Sequence, residues 1–334
     1  MVYCFFKIIQ RRSAAYYPVR GALLQQQSNR FKFAGHQTFS FRYGWLEKGV
    51  KAAADDSLVF SDKGRAMVRL GVGKNMVQSI QYWCQVTQLL EARVEDRKSR
   101  FAPSDLARRL FLGSDPWDEF LEDDGSLWLI HWLLTSYPIH KTIWQVLFSQ
   151  FHRSDFTRKE LIGFIISLAA RDGVPVAESV ISRDVDCFLR TYLPGKSKKM
   201  AGVPSEETYD CPLIELGLIQ SCGDDEFYRF LVGTKPSLPS AIFGFALLQY
   251  FRTLSDGRNT FSVQECMYGL NSPGQIFKLD ENSLIEYVEE LETSTGGMLV
   301  MDETAGLKQV YRRKLIDPIS LLECHYHPEA DNGR

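Results

Sequence analysis

The stretch Met67–Glu91, MVRLGVGKNMVQSIQYWCQVTQLLE, decides how the rest of the chain is read. It has the pattern of a short helix, a glycine turn and a second helix with two unlike faces. On a helical wheel of Lys74–Gln85, Met76, Val77, Ile80, Trp83 and Cys84 share one side, and Asn75, Gln78, Ser79, Tyr82 and Gln85 share the other. The first side can pack. The second offers amide, hydroxyl and phenol groups and no carboxylate, as a helix lying in a DNA groove needs. Gly71 and Gly73 are expected to supply the backbone freedom for the turn. The stretch predicts a helix-turn-helix that meets double-stranded DNA through Lys74, Asn75, Gln78, Ser79 and Tyr82, with Asn75 and Gln78 best suited to base edges. The alternative is an ordinary core helix with an uncharged outer face.

The run Gly71-Val72-Gly73-Lys74 superficially resembles a phosphate-binding loop. Val68 stands where that motif has its upstream glycine, and Asn75 where it has the Ser or Thr that holds magnesium, so nucleotide hydrolysis is not expected. There is no G-x-S-x-G elbow, no H-E-x-x-H pair and no dinucleotide fingerprint. Cys324, His325 and His327 near the C-terminus make a weak zinc set. The sequence nominates no catalytic residue, no metal and no cofactor.

Working outward, Gln88–Val94 reads as a short strand followed by the charged turn EDRKSR. Arg93, Arg97, Lys98 and Arg100 would sit on a wing beside the second helix and hold phosphates, although a solvated loop is the alternative for any charge run. Upstream, from Phe31, FKFAGHQTFSFRYGWLEKG interleaves aromatic rings with His36, Arg42 and Lys48. His36, Arg42 and Tyr43 are additional candidates for nucleic-acid contact by stacking or clamping. A strand and a helix start packed on the core are an equal reading of the same residues.

Residues 1–30 hold Lys7, Arg11, Arg12, Arg20 and Arg30 and no acid. They loosely resemble a transit peptide and are expected to be an atypical, poorly ordered extension. A domain over 31–150 combines the helix-turn-helix with an aromatic helical extension, in which Trp117, Trp128, Trp132 and Trp144 are core and Asp115–Asp124 is an exposed acidic turn. Residues 151–255 form a middle helical domain with a small hairpin. There Thr157 and Glu160 make a capping box, and GKSKKMAGVPSEETYD is a polar connector carrying Lys196, Lys198 and Lys199. Residues 256–320 read as a second winged-helix candidate, with SPGQIFKLDE as the connecting segment and Asn282–Glu292 as its second helix. That helix carries Glu286, Glu289, Glu290 and Glu292, so phosphate would repel it and a partner protein suits it better. Residues 321–334 are a tail. The expected fold is mainly α with small β-wings, built from several winged-helix or helix-turn-helix-like modules.

Composition sets the limits. The 334 residues include 45% hydrophobic and 24% charged side chains, as in soluble globular proteins, and the net charge is −2. Any DNA contact must therefore come from a local basic patch. The seven cysteines are scattered and form no CxxC pair, which fits a reducing cytoplasm. No apolar run reaches the roughly 18–20 residues of a membrane span, the longest, Leu127–Leu134, being interrupted by His131. No internal repeat of short fixed period is seen.

The segments FAGHQTFSFRYGWLEKG, LGVGKNMVQSIQYW, SLWLIHWLL, TYDCPLIELGLI and NSPGQIFKLDE together resemble a bacterial family catalogued as domain of unknown function 4007. The resemblance runs in order from Phe31 to Tyr311. It implies a neighbourhood of DNA-modification and phage-defence genes, including sulfur-transfer genes of the DNA phosphorothioation type. It carries over no catalytic residue. The function expected is a non-catalytic, DNA-binding component of such a system, with partner proteins held by the C-terminal module. The alternatives are a protein-interaction adaptor for a partner enzyme and a transcriptional repressor of the neighbouring operon.

Overall fold

A computed structural model describes residues 28–95, 97–136, 140–195, 211–223, 227–254, 257–304 and 306–328. The basic residues 1–27, the connector residues 196–210 with their three lysines, and the tail residues 329–334 lie outside the described part. Helices dominate, joined by small sheets of two or three strands, which makes the fold mixed α/β. Contacts divide the chain into two compact units between Leu231 and Val232.

The unit 28–231 opens with β1 (Ser28–Phe31) and α1 (Trp45–Asp55). A short 3-10 turn, Val59–Ser61, leads to α2 (Lys63–Leu70), α3 (Lys74–Val86) and the hairpin β2 (Leu90–Glu95) and β3 (Lys98–Pro103). Asp62 caps α2 by accepting the amides of Gly64 and Arg65 at 2.9 and 3.1 Å. The segment before α2 lies against β3, since Phe101 N–H donates to Ser57 O at 2.8 Å and Ser61 Oγ to Ser99 O at 2.5 Å.

Next come α4 (Asp105–Phe111), α5 (Asp124–Thr135), β4 (His140–Lys141), which pairs parallel with β1, and α6 (Ile143–Ser149). Every residue of α5 after Asp124 is buried, as a helix apolar all round requires. Its Trp128 and Trp132 share the core with Trp144 and Phe148 of α6. Trp117 is half-buried beneath the Arg109 guanidinium. The acidic turn before α5 has a local role: Asp118 accepts the amides of Glu122 and Asp123, and Asp123 caps the helix. The unit continues with β5 (Asp155–Thr157), α7 (Arg158–Arg171) and α8 (Glu178–Tyr192). After the short 3-10 helix Pro212–Leu216, it ends with β6 (Ile219–Cys222) and β7 (Phe227–Phe230), in sheet order β5-β7-β6.

The unit 232–334 contains α9 (Ser240–Leu254), β8 (Thr260–Ser262), α10 (Val263–Tyr268), α11 (Pro273–Phe277) and α12 (Glu281–Ser294). The hairpin β9 (Leu299–Thr304) and β10 (Leu307–Arg312) follows, and α13 (Pro318–Tyr326) closes the unit. The expected connecting segment SPGQIFKLDE thus contains a helix, capped by Ser272 with Pro273 in its first turn. The sheet order β8-β10-β9 repeats that of the middle module.

The repeat extends to side chains. In one module Thr157 and Glu160 form a reciprocal capping box, and Arg153 binds Glu160 at 2.5 Å. In the other Ser262 and Glu265 form the same box, and Arg258 binds Glu265 at 3.0 Å. Phe156 and Phe261 precede the two caps and are buried, Phe261 stacked on Phe251.

Two lysines in the C-terminal unit are almost wholly buried. Lys278 ends α11 in the left-handed region, and burial pulls its ammonium down to about 7. Burial pulls Lys235 down to about 8 against the opposing charge of Asp280. Between those values and the ordinary amine range the unfolded chain binds more protons than the folded one, so stability rises with pH above about 7. The buried thiols of Cys84, Cys187 and Cys266 are pushed up by burial. They oppose this trend only above the ordinary thiol value of about 8.5. Urea melts are expected to strengthen from about pH 7 to 8.5, and Lys278→Met should flatten that slope by up to ~1.4 kcal/mol per pH unit. An unchanged slope would show that Lys278 stays charged in the folded state.

Candidate nucleic-acid interface

Helices α2 and α3 meet at Gly71, whose φ of 67° lies in the left-handed region that favours glycine. Gly73 adopts ordinary extended backbone as the N-cap of α3, so only one of the two glycines is needed for its conformation. The outward face of α3 is formed by Lys74 and Asn75, which are exposed, and by Gln78, Gln81 and Gln85, which are half-buried. Positions 74, 78, 81 and 85 recur at helical spacing, so they form one stripe of amides and a single ammonium with no carboxylate. Gln81 belongs to this stripe although residue character alone did not select it.

Ser79 and Tyr82, expected to face DNA, face the core instead. Ser79 is 0% exposed and its Oγ donates to His36 O at 2.9 Å; Tyr82 is 3% exposed. The cause is the loop 32–44, which folds over this side of α3. His36, also expected as a contact, is 0% exposed. Thr38 N–H donates to its Nδ1 at 3.0 Å, which leaves the proton on Nε2, and Nε2 donates to Asp184 Oδ1 of α8 at 2.9 Å. Asp184 also accepts the Ala34 amide at 3.1 Å on each oxygen. Trp83 Nε1 donates to Phe39 O at 3.0 Å and Arg190 to Thr38 O at 2.7 Å. Gly35 lies so close to Tyr82 that a Cβ there would sit 2.3 Å from the ring.

Arg42 and Tyr43 lie farther along the same loop. The Arg42 guanidinium covers the rings of Phe39 and Trp45, and the Tyr43 hydroxyl donates to Glu215. On the hairpin, Arg93 and Arg100 occupy directly opposed positions and pair with Glu91 and Glu95. Arg97 and Lys98, at the tip, are exposed and have no ion-pair partner among the described residues. On α2, which residue character had not singled out, Lys63 is exposed and Arg65 and Arg69 bind Asp56 and Asp55. Among the described residues no group of three or more His, Cys, Asp or Glu is placed to hold a metal ion. No helix of the described residues is long and apolar enough to cross a membrane.

The Tyr82 hydroxyl is buried with no hydrogen-bond partner among the described residues, and burial, with the charge of Asp184, pushes its pKa well up. Tyr82→Phe removes an unsatisfied group and is expected to leave the thermal midpoint unchanged or raise it. Asp184→Ala strips the acceptor from both His36 and Ala34 and should cost about 3–5 kcal/mol in a denaturant melt. The opposite ranking of the two variants would overturn this account of the loop.

Two solved structures, described as "SspB crystal structure" and "Magnesium ion-bound SspB crystal structure", resemble this chain with TM-scores of 0.80 and 0.79. Each is 28% identical to it, and each alignment covers 92% of both chains. No curated protein sequence matches. The family model described as "Protein of unknown function (DUF4007)" matches residues 33–326, from the aromatic loop through to the last helix. The chain therefore belongs to the DUF4007 family.

Proposed function

We propose that this protein is a non-catalytic, double-stranded-DNA-binding component of a bacterial DNA-modification system of the phosphorothioation type, or of a phage-defence system, working in the cytoplasm. The observation that carries the reading is the outward stripe of α3. In a chain of net charge −2, Lys74, Asn75, Gln78, Gln81 and Gln85 form a helical face with no carboxylate. Amides in this arrangement can bond adenine bidentately in the major groove, and a lone ammonium can meet a phosphate.

The order of elements supports the same reading. A first strand or extended segment, two or three helices and a hairpin recur three times, and each time the first strand lies against the hairpin's second strand. This order of elements is the one a winged-helix reading expects, in which the helix before the hairpin would enter a groove and the hairpin would flank it. Lys98, Arg93 and Arg100 on the hairpin would then meet the phosphate backbone. Likeness to the SspB structures over nine-tenths of each chain supports a role shared with SspB.

The C-terminal module favours a different partner. In α12, Glu286, Glu289 and Glu290 are exposed, a face that repels phosphate and suits a basic protein surface. In this reading α3 holds DNA and α12 holds a partner protein of the complex.

The test is binding to duplex DNA at about 50 and 200 mM salt, read by gel shift. Lys74→Ala/Asn75→Ala/Gln78→Ala replaces side chains on the outward face only, and should weaken binding roughly tenfold or more without moving the melting midpoint. Unchanged binding in this variant would remove α3 as the reading helix. No binding by the wild type at the lower salt would remove the DNA-binding function.

A further inference from the structure

The segment 57–61 lies along β3 and Phe101 packs on Phe60, but β2 and the hairpin tip have little of the protein beneath them. After Leu90, every residue of β2 from Glu91 to Glu95 is exposed, and in β3 only Phe101 and Pro103 are buried. Val94, on the face opposite the arginines, is 77% exposed. Strand left uncovered is marginal in water, so β2 and the outer half of this hairpin have the character of a segment that a partner covers.

Its register says what kind of partner. Arg93 lies directly opposite Arg100, and Glu95 opposite Lys98. Like charges directly opposed weaken a strand pair, and the exposed ion pairs to Glu91 and Glu95 offset this only slightly. Arg100 also donates to Ser57 Oγ at 3.2 Å, so a phosphate that lies between the two guanidinium groups has to displace exposed, weakly held partners. At the turn, Arg97 has φ 60°, a conformation in which Gly or Asn is the ordinary choice. Its charge has no ion-pair partner among the described residues. The hairpin's own stability favours glycine at this position, so the guanidinium answers to something outside the hairpin.

Dimensions decide which feature of DNA that is. An undeformed minor groove about 6 Å wide is too narrow for a two-stranded ribbon but admits one arginine side chain, and a narrowed groove holds the strongest negative potential. Resting on the DNA-binding reading above, we propose that Arg97 is a groove-width reader. Arg93 and Arg100 straddle a phosphate while Arg97 enters the minor groove beside the segment that α3 occupies. The preferred duplex then carries a narrow A-tract next to the α3 site. The discrimination comes from groove shape, because A·T and T·A pairs look nearly alike from the minor groove.

The experiment compares two duplexes of equal length and equal A·T content, one with A-tracts and one with alternating TpA steps, in fluorescence anisotropy at about 100 mM salt. Wild type is expected to bind the A-tract duplex about three- to tenfold more tightly. Arg97→Gly should bring the two duplexes to within about twofold. It should also melt at the same temperature or higher, because glycine relaxes the turn. Equal weakening of Arg97→Gly on both duplexes would mean that Arg97 touches phosphate alone, and would overturn the proposal. So would a wild type that binds both duplexes equally, or an Arg97→Gly variant that keeps the preference. Loss of binding in the α3 triple variant with the preference absent in wild type separates failure of this inference from failure of the DNA reading. No binding by wild type to either duplex overturns both.

Discussion

The buried pair of His36 and Asp184 is the constraint on which the unit 28–231 depends. It joins the aromatic loop to α8 across 148 positions of sequence, with both side chains out of solvent. A buried pair of this kind adds little net stability compared with apolar packing, but it demands one geometry. Asp184 accepts from the Ala34 amide as well as from the imidazole, so its oxygens are committed to the loop. The loop in turn holds Ala34, Gln37 and Thr38 at positive φ. Each costs of order 1 kcal/mol or more, and such conformations persist only where the surroundings over-determine them. Here α3 supplies that over-determination through Ser79, Tyr82 and Trp83, and α8 through Asp184 and Arg190. The inner face of α3 is thereby fixed, and its rotation leaves the amide stripe as the outer face.

The same economy governs the two later modules. An arginine, a buried phenylalanine, a hydroxyl cap and a glutamate recur at matched spacing before α7 and α10. The glutamate carries three tasks in each case: it accepts the cap residue's amide and its hydroxyl, and it pairs with the upstream arginine. Backbone and side-chain bonds hold both carboxyls below the usual carboxylate range. Each box sets where strand ends and helix begins, and so aligns the first strand with the hairpin that comes back beside it. The N-terminal module reaches a similar placement by different means, with Asp62 as the cap and Ser61 bonded to β3.

Features decided within a few residues were legible in the sequence. The capping box of Thr157 and Glu160, the glycine between α2 and α3, the turn between β2 and β3 and the hairpin of the middle module all follow from local patterns. What failed was the assignment of faces from residue character. Ser79, Tyr82 and His36 carry polar atoms, and polar atoms suggest an outer surface. Ser79 and His36 are inside because distant partners satisfy them, and no spacing rule reports a partner in α8. Tyr82 is inside because its ring packs against His36, Trp83 and Trp144, its hydroxyl being carried along. Gln81 is the mirror case, since the wheel drawn on residue type had no reason to prefer it to Tyr82. The helix in SPGQIFKLDE was hidden by its proline and glycine, which suggest a loop although proline suits a first helical turn.

Charge arrangement gives the outward surfaces different tasks in the DNA-binding reading. An amide stripe discriminates between bases only at contact distance and exerts almost no long-range pull, and Lys74 adds a single charge to it. The cations of the hairpin act over a Debye length of about 8–10 Å and so bring the protein to the duplex. Glu91 and Glu95 on the same hairpin temper that attraction, because phosphate has to displace them from Arg93 and Arg100. Under the proposed function the outcome would be weak capture by the hairpin followed by selection at α3, in a protein whose net charge of −2 gives no general pull towards nucleic acid. In the same reading the exposed carboxylates of α12 would keep that helix off the phosphate backbone and leave its face for a partner protein.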